Sequence, residues 1–208
     1  MDVYRYERSE KVREDELGRA AEVLAKTFFR DPLQNYTFPE EAERATNSPK
    51  HFAAALRYGY KFGVVYTIDG VPGASIWLKP GETEITPERA EEAGFMDLPS
   101  QIGEDAFNRF FVAISFAEEM HKTDVPEPHW YTMVLGVDPE LHGQGYGPAL
   151  MQPIFERSET DGSPIYLETA QPKNVSFYEK LGFKVLRDVV EPLSGVRLWT
   201  FRRDPDRS

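Results

Sequence analysis

The chain has 208 residues, of which 40% are hydrophobic, and it carries a formal net charge of −11. Its apolar runs reach about eight residues, far below the roughly 20 that a membrane-spanning helix needs, so the composition predicts a globular domain with no membrane partner. The acidic balance also disfavours nucleic acid as a partner, because a phosphate backbone favours a basic face. The absence of cysteine excludes disulfides and thiolate chemistry.

The opening stretch, "MDVYRYERSEK", has no apolar segment behind its charged residues. This pattern predicts that no secretory leader is present and that the protein is cytoplasmic. The length, together with the lack of a linker rich in Gly, Ser or Pro, predicts a single domain over residues 1–208. The oligomeric state is open between a monomer and a homodimer.

Hydrophobic periodicity predicts alternating helices and strands in the first two thirds of the chain. Apolar residues at helical spacing predict helices over 15–29 and 103–121. A second helix is predicted from Ser48-Pro49 to Gly63, because proline suits a first helical turn. Two β-rich runs around "DGVPG" predict a hairpin, and "TPERAEEAG" predicts a short polar helix.

The last third of the chain continues this alternation, which makes the order mixed α/β. The run "WYTMVLGV" (130–137) is uniformly apolar, as is typical of a central strand. It is followed by a glycine-rich loop, a helix to about residue 159, the strand "PIYLETA", the helix "NVSFYEKL" and the strand runs "FKVLRDVV" and "VRLWTFR".

The stretch "LHGQGYGPAL" (141–150) places three glycines directly behind the predicted central strand. A turn here, followed by a helix that begins near Tyr146, would leave several backbone N–H groups unpaired at the positive end of the helix dipole. Such a site favours an anion, for example a pyrophosphate, and Pro148 suits a helical turn that can dispense with an N–H. A turn that only joins strand to helix would have the same composition, so both interpretations remain open.

Other functional motifs are missing. The loop fits neither a Walker A nucleotide loop nor the pattern G-x-G-x-x-G, and the serine-hydrolase elbow G-x-S-x-G is absent. The four histidines lack the spacing of zinc ligands, so no metal site is predicted.

Gly136 interrupts the apolar central strand. A glycine in this position indicates either a β-bulge or the close approach of another part of the chain. A bulge would separate this strand from "PIYLETA" and open a slot. Main-chain groups of Leu135 and Val137 could then pair with an extended ligand that carries amides.

At "LHGQGYG" and "NVSFYEKLGF" the chain resembles the GCN5-related N-acetyltransferase (GNAT) family, whose pyrophosphate loop reads R/Q-x-x-G-x-G/A. The segments "HWYTMVLGV", "YLETAQPKNVSFYEKLGF" and "GVRLWTF" look like its puromycin N-acetyltransferase-type branch. The resemblance implies an α/β fold with a central mixed, mostly antiparallel sheet of about six or seven strands, a splayed V-shaped opening and helices on both faces. The loop departs from the family at its first position, where His142 replaces Gln or Arg.

The resemblance further implies direct transfer of acetyl from acetyl-CoA to a primary amine of a small molecule, for example an antibiotic such as puromycin or another xenobiotic, with CoA as product and no metal. By the same resemblance, the main-chain N–H near Leu135 would polarise the thioester carbonyl. The residues that the resemblance assigns to acetyl-CoA are Leu135, Gly136, Val137, His142, Gly143, Gln144, Gly145, Tyr146, Gly147, Pro148, Asn174 and Tyr178.

Two side chains are candidates for the acid and the base of this chemistry. Tyr178 resembles the family's general acid, which donates a proton to the departing sulfur, although it could instead be a packing residue. Asn174, one helical turn earlier, could cap its helix, contact the pantetheine arm, or both. Glu168 is the first candidate for the base; a structural carboxylate is the alternative, and His129, Tyr131 or ordered water are further candidates.

Aromatic side chains could line an apolar cavity for a bulky or aromatic amine, although such rings more often belong to a core. The candidates are Phe28, Tyr36, Trp77, Phe111 and Tyr131. The acidic balance suits a cationic amine, and surface solubility explains it equally. Two other functions remain open: a protein or peptide N-acetyltransferase, which would need an open groove, and a non-catalytic acyl-CoA sensor.

Overall fold

A computed structural model describes residues 9–206 of the chain. Most of the opening stretch, on which the expected absence of a leader depends, lies outside these residues. The strands are β1 Glu10–Lys11, β2 Val64–Thr67, β3 Gly73–Leu78, β4 Trp130–Val137, β5 Ile165–Thr169, β6 Lys184–Val190 and β7 Arg197–Arg203. The helices are α1 Leu17–Phe28, α2 Pro32–Thr37, α3 Glu41–Phe62, α4 Pro87–Ala93, α5 Leu98–Ile102, α6 Glu104–Asp124, α7 Tyr146–Asp161 and α8 Val175–Lys180.

The strands form one seven-stranded sheet in the order β1-β2-β3-β4-β5-β7-β6. All neighbours pair antiparallel except β4 and β5, which are parallel. The pairing of β4 with β5 is limited to Trp130 with Ile165 and Tyr131 with Tyr166, so the two strands separate beyond these pairs. The predicted mostly antiparallel sheet with a V-shaped opening is therefore confirmed.

Helices cover both faces of the sheet. Ile76 and Trp77 are successive residues of β3, so their side chains point to opposite faces. Ile76 packs in a cluster with residues of α1 and α3, whereas Trp77 packs in a cluster with residues of α7 and α8. Within residues 9–206, no helix combines the length and the apolarity that crossing a bilayer requires.

The predicted start of α3 at Ser48 is wrong. The helix begins at Glu41 and includes Pro49, although proline removes one intrahelical hydrogen bond. Phe52 and Leu56 of this helix pack in a cluster with residues of α1, and this packing offsets the missing bond. The helix ends before Gly63, as predicted.

The sequence analysis also missed α2, α5 and the two-residue strand β1. The pair Asp31-Pro32 follows the predicted helix 15–29, and it starts α2. The Asp31 carboxylate accepts a hydrogen bond from the Leu33 amide at 2.9 Å, and Pro32 occupies the first helical turn. Both are standard signals for a helix start.

Gly136 does not form a bulge, which corrects one of the two interpretations. It pairs in regular register with Ala74, and the irregularity of β4 lies nearer its start, where Met133 is the extra residue between Thr132 and Val134. The glycine instead allows α1 to approach β4 closely, as the alternative interpretation held. The V-shaped opening follows from the short pairing of β4 with β5 rather than from this residue.

The change Gly136→Ala should therefore destabilise the protein. A Cβ atom at this position would lie 2.6 Å from Cδ2 of Leu24 and 3.0 Å from Cε2 of Phe28. Overpacking of this kind costs about 1–3 kcal/mol, measurable as the free energy of unfolding in urea. The matched control is Gly18→Ala in α1, where no atom lies within 4 Å of the new Cβ. The control should stabilise the protein by up to about 1 kcal/mol, and equal effects of the two changes would contradict the packing explanation.

Candidate active site

A hydrogen bond joins the two strands where the V-shaped opening begins. The hydroxyl of Tyr131 on β4 donates to Oε1 of Glu168 on β5 at 2.7 Å. The second carboxyl oxygen of Glu168, Oε2, is buried and has no partner among the described residues. Burial raises the pKa of Glu168 to about 8, the Tyr131 hydrogen bond opposes this rise, and the charge of Asp124 adds to it. A carboxyl group with this pKa can gain and lose a proton near neutral pH, as a general base must.

The nearby charge of Asp124 is itself compensated. Its carboxylate pairs with Arg187 and accepts a hydrogen bond from the Thr200 hydroxyl at 2.6 Å. Glu168 therefore remains the carboxyl group at the opening with an unpaired, buried oxygen. Asp124 is thus a structural carboxylate, whereas Glu168 is free to exchange a proton.

His129 is buried behind the opening, which is at odds with the exposed position expected for the start of a strand. Its Nδ1 donates to the Glu127 carbonyl at 2.6 Å, and its Nε2 lies 2.6 Å from Nε2 of His121. Burial lowers the pKa of His129, and it lowers that of His121 to about 3. Both rings are therefore neutral at pH 7, and both nitrogens of His129 already have partners, which weakens it as a candidate base.

The loop between β4 and α7 presents unpaired main-chain donors. Gly143 and Gly145 have φ values of 79° and 91°, which side chains other than glycine rarely adopt. The five amides of residues 143–147 donate to no backbone acceptor in the part of the chain that the structure describes. Helix α7 begins at Tyr146, as predicted, so these amides lie at the positive end of its dipole.

His142 fastens this loop to the end of β4. Its Nε2 donates to the Val137 carbonyl at 3.0 Å, and the same carbonyl accepts a hydrogen bond from the Thr27 hydroxyl at 2.9 Å. The carbonyl of Val137 is therefore not free to pair with a ligand, which corrects that part of the sequence prediction. His142, the residue at which the loop departs from the family pattern, therefore has a structural role.

Tyr178 on α8 lies in the apolar cluster beneath the opening. Its ring centroid is 5.7 Å from that of Phe183 and 5.4 Å from that of Phe201. Burial raises the pKa of its hydroxyl well above the ordinary value, and the carboxylates of Glu168 and Asp31 add to the rise. The phenol is therefore protonated at neutral pH and can act as a proton donor.

Asn174 makes no side-chain cap for α8, although it occupies the position before the helix. Its Nδ2 donates to the Thr169 hydroxyl at 3.3 Å, which ties the start of α8 to the end of β5. The amide oxygen of its side chain has no donor among the described residues and remains available for a ligand.

A cavity of about 560 Å³ lies on one side of the opening, between α2, the end of β5 and the turn that joins β6 to β7. We call it the α2 cavity. Its walls include Tyr36, Ala170, Val196 and Trp199. Sequence reasoning found Tyr36 but missed Trp199, whose place beside Thr169 on β5 depends on the pairing of β7 with β5.

The remaining aromatic candidates do not line this cavity. Trp77 is fully buried, and its Nε1 donates to the Ser75 hydroxyl at 2.8 Å, so it is a core residue. Phe28 packs against Phe52 with ring centroids 5.1 Å apart, and Phe111 is 58% exposed on α6. The positions of these three residues therefore differ from the sequence prediction. The periodicity placed the rings on helices and strands, but it did not show which face of each element meets the opening.

No cluster of three or more metal-ligating side chains occurs in residues 9–206. The slot between β4 and β5, the loop amides and the separate side chains of Glu168 and Tyr178 are the features that could bind a ligand and move protons.

Comparison with known proteins adds to this geometry. Residues 106–185 match the acetyltransferase (GNAT) domain. An uncharacterized N-acetyltransferase of Schizosaccharomyces pombe is 26% identical, over 84% of this chain and 73% of its own length. The structure of a Corynebacterium glutamicum protein, described as histone acetyltransferase HPA2 and related acetyltransferase, matches with a TM-score of 0.68 at 17% identity, covering 97% of both chains. That of arylalkylamine N-acetyltransferase 2 from Aedes aegypti matches with a TM-score of 0.59 at 15% identity, covering 94% of this chain and 96% of its own.

The fold, the open sheet and these similarities define an acetyltransferase. More particularly, residues 106–185 are similar to the GNAT domain, and these similarities identify the protein as an enzyme of the N-acetyltransferase type. The resemblance seen in the sequence is confirmed at the level of the family, whereas its puromycin-related branch stays a prediction.

Proposed function

We propose that the enzyme transfers the acetyl group of acetyl-CoA directly to a primary amine of a small molecule. The observation that carries this proposal is the row of five unpaired amides at the start of α7, behind the end of β4 that does not pair with β5. Hydrogen bonds to a charged acceptor contribute roughly 1.5–3 kcal/mol each, so several such amides can hold a pyrophosphate without a lysine. A helix start with free N–H groups is a common anion site.

The residues fit acetyl-CoA as the donor, which supplies the acetyl group as a thioester when it is bound. The amides of residues 143–147 would hold the pyrophosphate. Leu135 on the open edge of β4 and the side-chain oxygen of Asn174 would bind the pantetheine arm. The Leu135 N–H would also polarise the carbonyl that is attacked.

The two proton transfers are assigned to residues of β5 and α8. Glu168 in its ionised form would accept the proton that the ammonium group of the substrate must lose. Tyr178, held protonated by burial, would give a proton to the departing sulfur. The absence of cysteine supports direct transfer, because a cysteinyl acyl-enzyme cannot form.

The α2 cavity supports a small amine as the acceptor. Its volume of about 560 Å³ is in the usual range for small-molecule pockets, and Tyr36 and Trp199 provide aromatic walls for a bulky or aromatic group. The similarity of fold to an arylalkylamine N-acetyltransferase is in keeping with this choice. A puromycin-like antibiotic is one amine of this kind. A cytoplasmic location, a single domain and a monomeric or homodimeric state remain predictions from the sequence.

The release of free thiol in the presence of acetyl-CoA tests this function. We expect release with amines that carry an aromatic or bulky apolar group, puromycin among them, and little release with a peptide N-terminus. The protein itself has no cysteine to add background signal. The proposal would be wrong if no amine supported thiol release and calorimetry at millimolar acetyl-CoA detected no binding.

A further inference from the structure

A second cavity of about 560 Å³ lies between the end of α1, the first half of α3 and the segment that follows β5. We call it the α3 cavity. Its lining includes Arg30, Arg44 and Lys173, three cations for which the described residues supply no carboxylate within ion-pair distance. A fourth cation, Lys26, is already neutralised by Asp138 and Glu140, each 2.9 Å away.

Arg44 is the unusual member of this set, because it is only 5% exposed. Its Nη2 donates to the Pro39 carbonyl at a long 3.4 Å, and its Nε is buried without a partner among the described residues. The guanidinium lies 5.0 Å from the ring centroid of Phe29, which compensates the charge only in part. A buried charge normally requires a counterion, so the missing anion is a property of the site that needs an explanation.

The acidic groups near the cavity do not supply this anion. Glu22 belongs to the lining but is exposed to solvent. Asp31, in the turn after α1, is not part of the lining; its carboxylate accepts the hydrogen bond that starts α2, and its charge acts on Lys173 without forming an ion pair among the described residues. The cavity therefore keeps an excess of positive charge in a protein whose net charge is −11.

We propose that the α3 cavity binds a phosphate monoester, with Arg44 as its buried ligand and Arg30 and Lys173 at its rim. A phosphate monoester carries a charge of about −1.5 to −2 at neutral pH, which balances several unpaired cations better than a single carboxylate does. The planar guanidinium suits phosphate oxygens, because it can donate two parallel hydrogen bonds. The volume of the cavity leaves room for an organic group attached to the phosphate.

Two molecules could bring this phosphate. His142 of the pyrophosphate loop also lines the α3 cavity, so the 3′-phosphate of CoA could reach it from the neighbouring amides. A separate phosphorylated metabolite could occupy it independently. The phosphate site itself follows from the cavity and Arg44, and only its assignment to the 3′-phosphate rests on the proposed function.

Thermal unfolding in inorganic phosphate, compared with sodium chloride at equal ionic strength, tests the site without any acetyl transfer. Saturating phosphate should raise the unfolding midpoint of the wild-type protein by about 5 °C or more above the chloride value, and it should raise that of Arg44→Met clearly less, because only the loop amides of residues 143–147 then remain as an anion site. Without phosphate, Arg44→Met should unfold at the same or a higher temperature, because the change removes an unpaired buried charge. The proposal is overturned if Arg44→Met lowers the midpoint and both proteins respond equally to phosphate.

The matched control is Lys79→Met, which removes one exposed positive charge just after β3. The end of β3 pairs with the start of β4, so Lys79 lies at the opposite end of that strand from the loop. This variant should keep the wild-type response to phosphate. A loss of the response in Lys79→Met would show that net charge, rather than Arg44, causes the effect, and it would overturn the proposal.

Calorimetry with CoA and dephospho-CoA distinguishes the two sources. If the 3′-phosphate occupies the α3 cavity, the wild-type protein should bind CoA at least about tenfold more tightly than dephospho-CoA, and Arg44→Met should lose this preference. If the preference is the same in both proteins while phosphate still stabilises the wild type more than Arg44→Met, a separate phosphorylated metabolite is the ligand. A protein that responds to phosphate through Arg44 but binds neither form of CoA would refute the proposed function and leave this site intact.

Discussion

Replacing Tyr178 with phenylalanine should lower kcat by about 10²- to 10⁴-fold, the usual contribution of a general acid. The Kd for acetyl-CoA should change little, because the ring that packs against Phe183 and Phe201 remains. The loss of kcat is expected because the hydroxyl, which burial keeps protonated, would no longer supply a proton to the departing thiolate. Steady-state kinetics with the best amine and calorimetry with acetyl-CoA measure the two quantities separately.

The matched control for this change is Tyr66→Phe. Tyr66 is a buried tyrosine of β2, with 6% of its surface exposed, and it lies three strands away from β5 in the sheet. This control should leave kcat and Kd unchanged. An equal loss of kcat in both variants, or a loss confined to acetyl-CoA binding in Tyr178→Phe, would assign a packing role to Tyr178.

Replacing Glu168 with glutamine should have an effect of comparable size on kcat/KM. The base acts in its ionised form, and burial raises the pKa of Glu168 to about 8. In the wild-type enzyme kcat/KM should therefore rise with pH and level off above about pH 8. Glu168→Gln should lose about 10²- to 10⁴-fold and should lack this rise. An amine whose own pKa is below about 7 should be used, because its ionisation then falls outside the rise assigned to Glu168, which accepts in this case the proton that the nitrogen loses as it attacks the thioester.

The same variant should be more stable than the wild-type protein in alkaline solution. This measurement distinguishes a catalytic carboxyl group from a structural one. Folding raises the pKa of Glu168 from 4.5 to about 8, so the folded protein loses stability as the pH rises between these values. Glutamine does not ionise, and it retains an oxygen for the Tyr131 hydrogen bond. The free energy of unfolding of Glu168→Gln should match the wild-type value near pH 4 and exceed it by a few kcal/mol at most near pH 9. A less stable variant at pH 9 would identify Glu168 as a structural residue, and so would unchanged kinetics.

Elements whose local pattern agrees with their tertiary environment could be predicted from the sequence. The apolar run of β4, the glycines behind it and the start of α7 at Tyr146 are examples, because burial and turn chemistry act on adjacent residues there. The start of α3 could not be predicted, since the packing of its buried residues Phe52 and Leu56 against α1 overrides the local effect of Pro49. The start of α2 was overlooked although Asp31 and Pro32 carry its signals.

The same distinction between local patterns and long-range packing applies to the candidate site. Positions within one segment, such as the loop glycines and the pair Asn174 and Tyr178, follow from motif spacing. Contacts between distant segments do not: the placement of Trp199 rather than Trp77 beside the opening depends on the order of strands in the sheet. The burial of Arg44 likewise has no local signal, because it depends on how α1 and α3 pack.

The two residue pairs that join β4 to β5 leave the sheet as two halves held together at one end. Acetyl-CoA between these halves would contact the free edges of both, so its binding energy would add to their cohesion. We therefore expect acetyl-CoA to protect the protein from unfolding and from proteolysis in solution, to an extent that follows its saturation of the site.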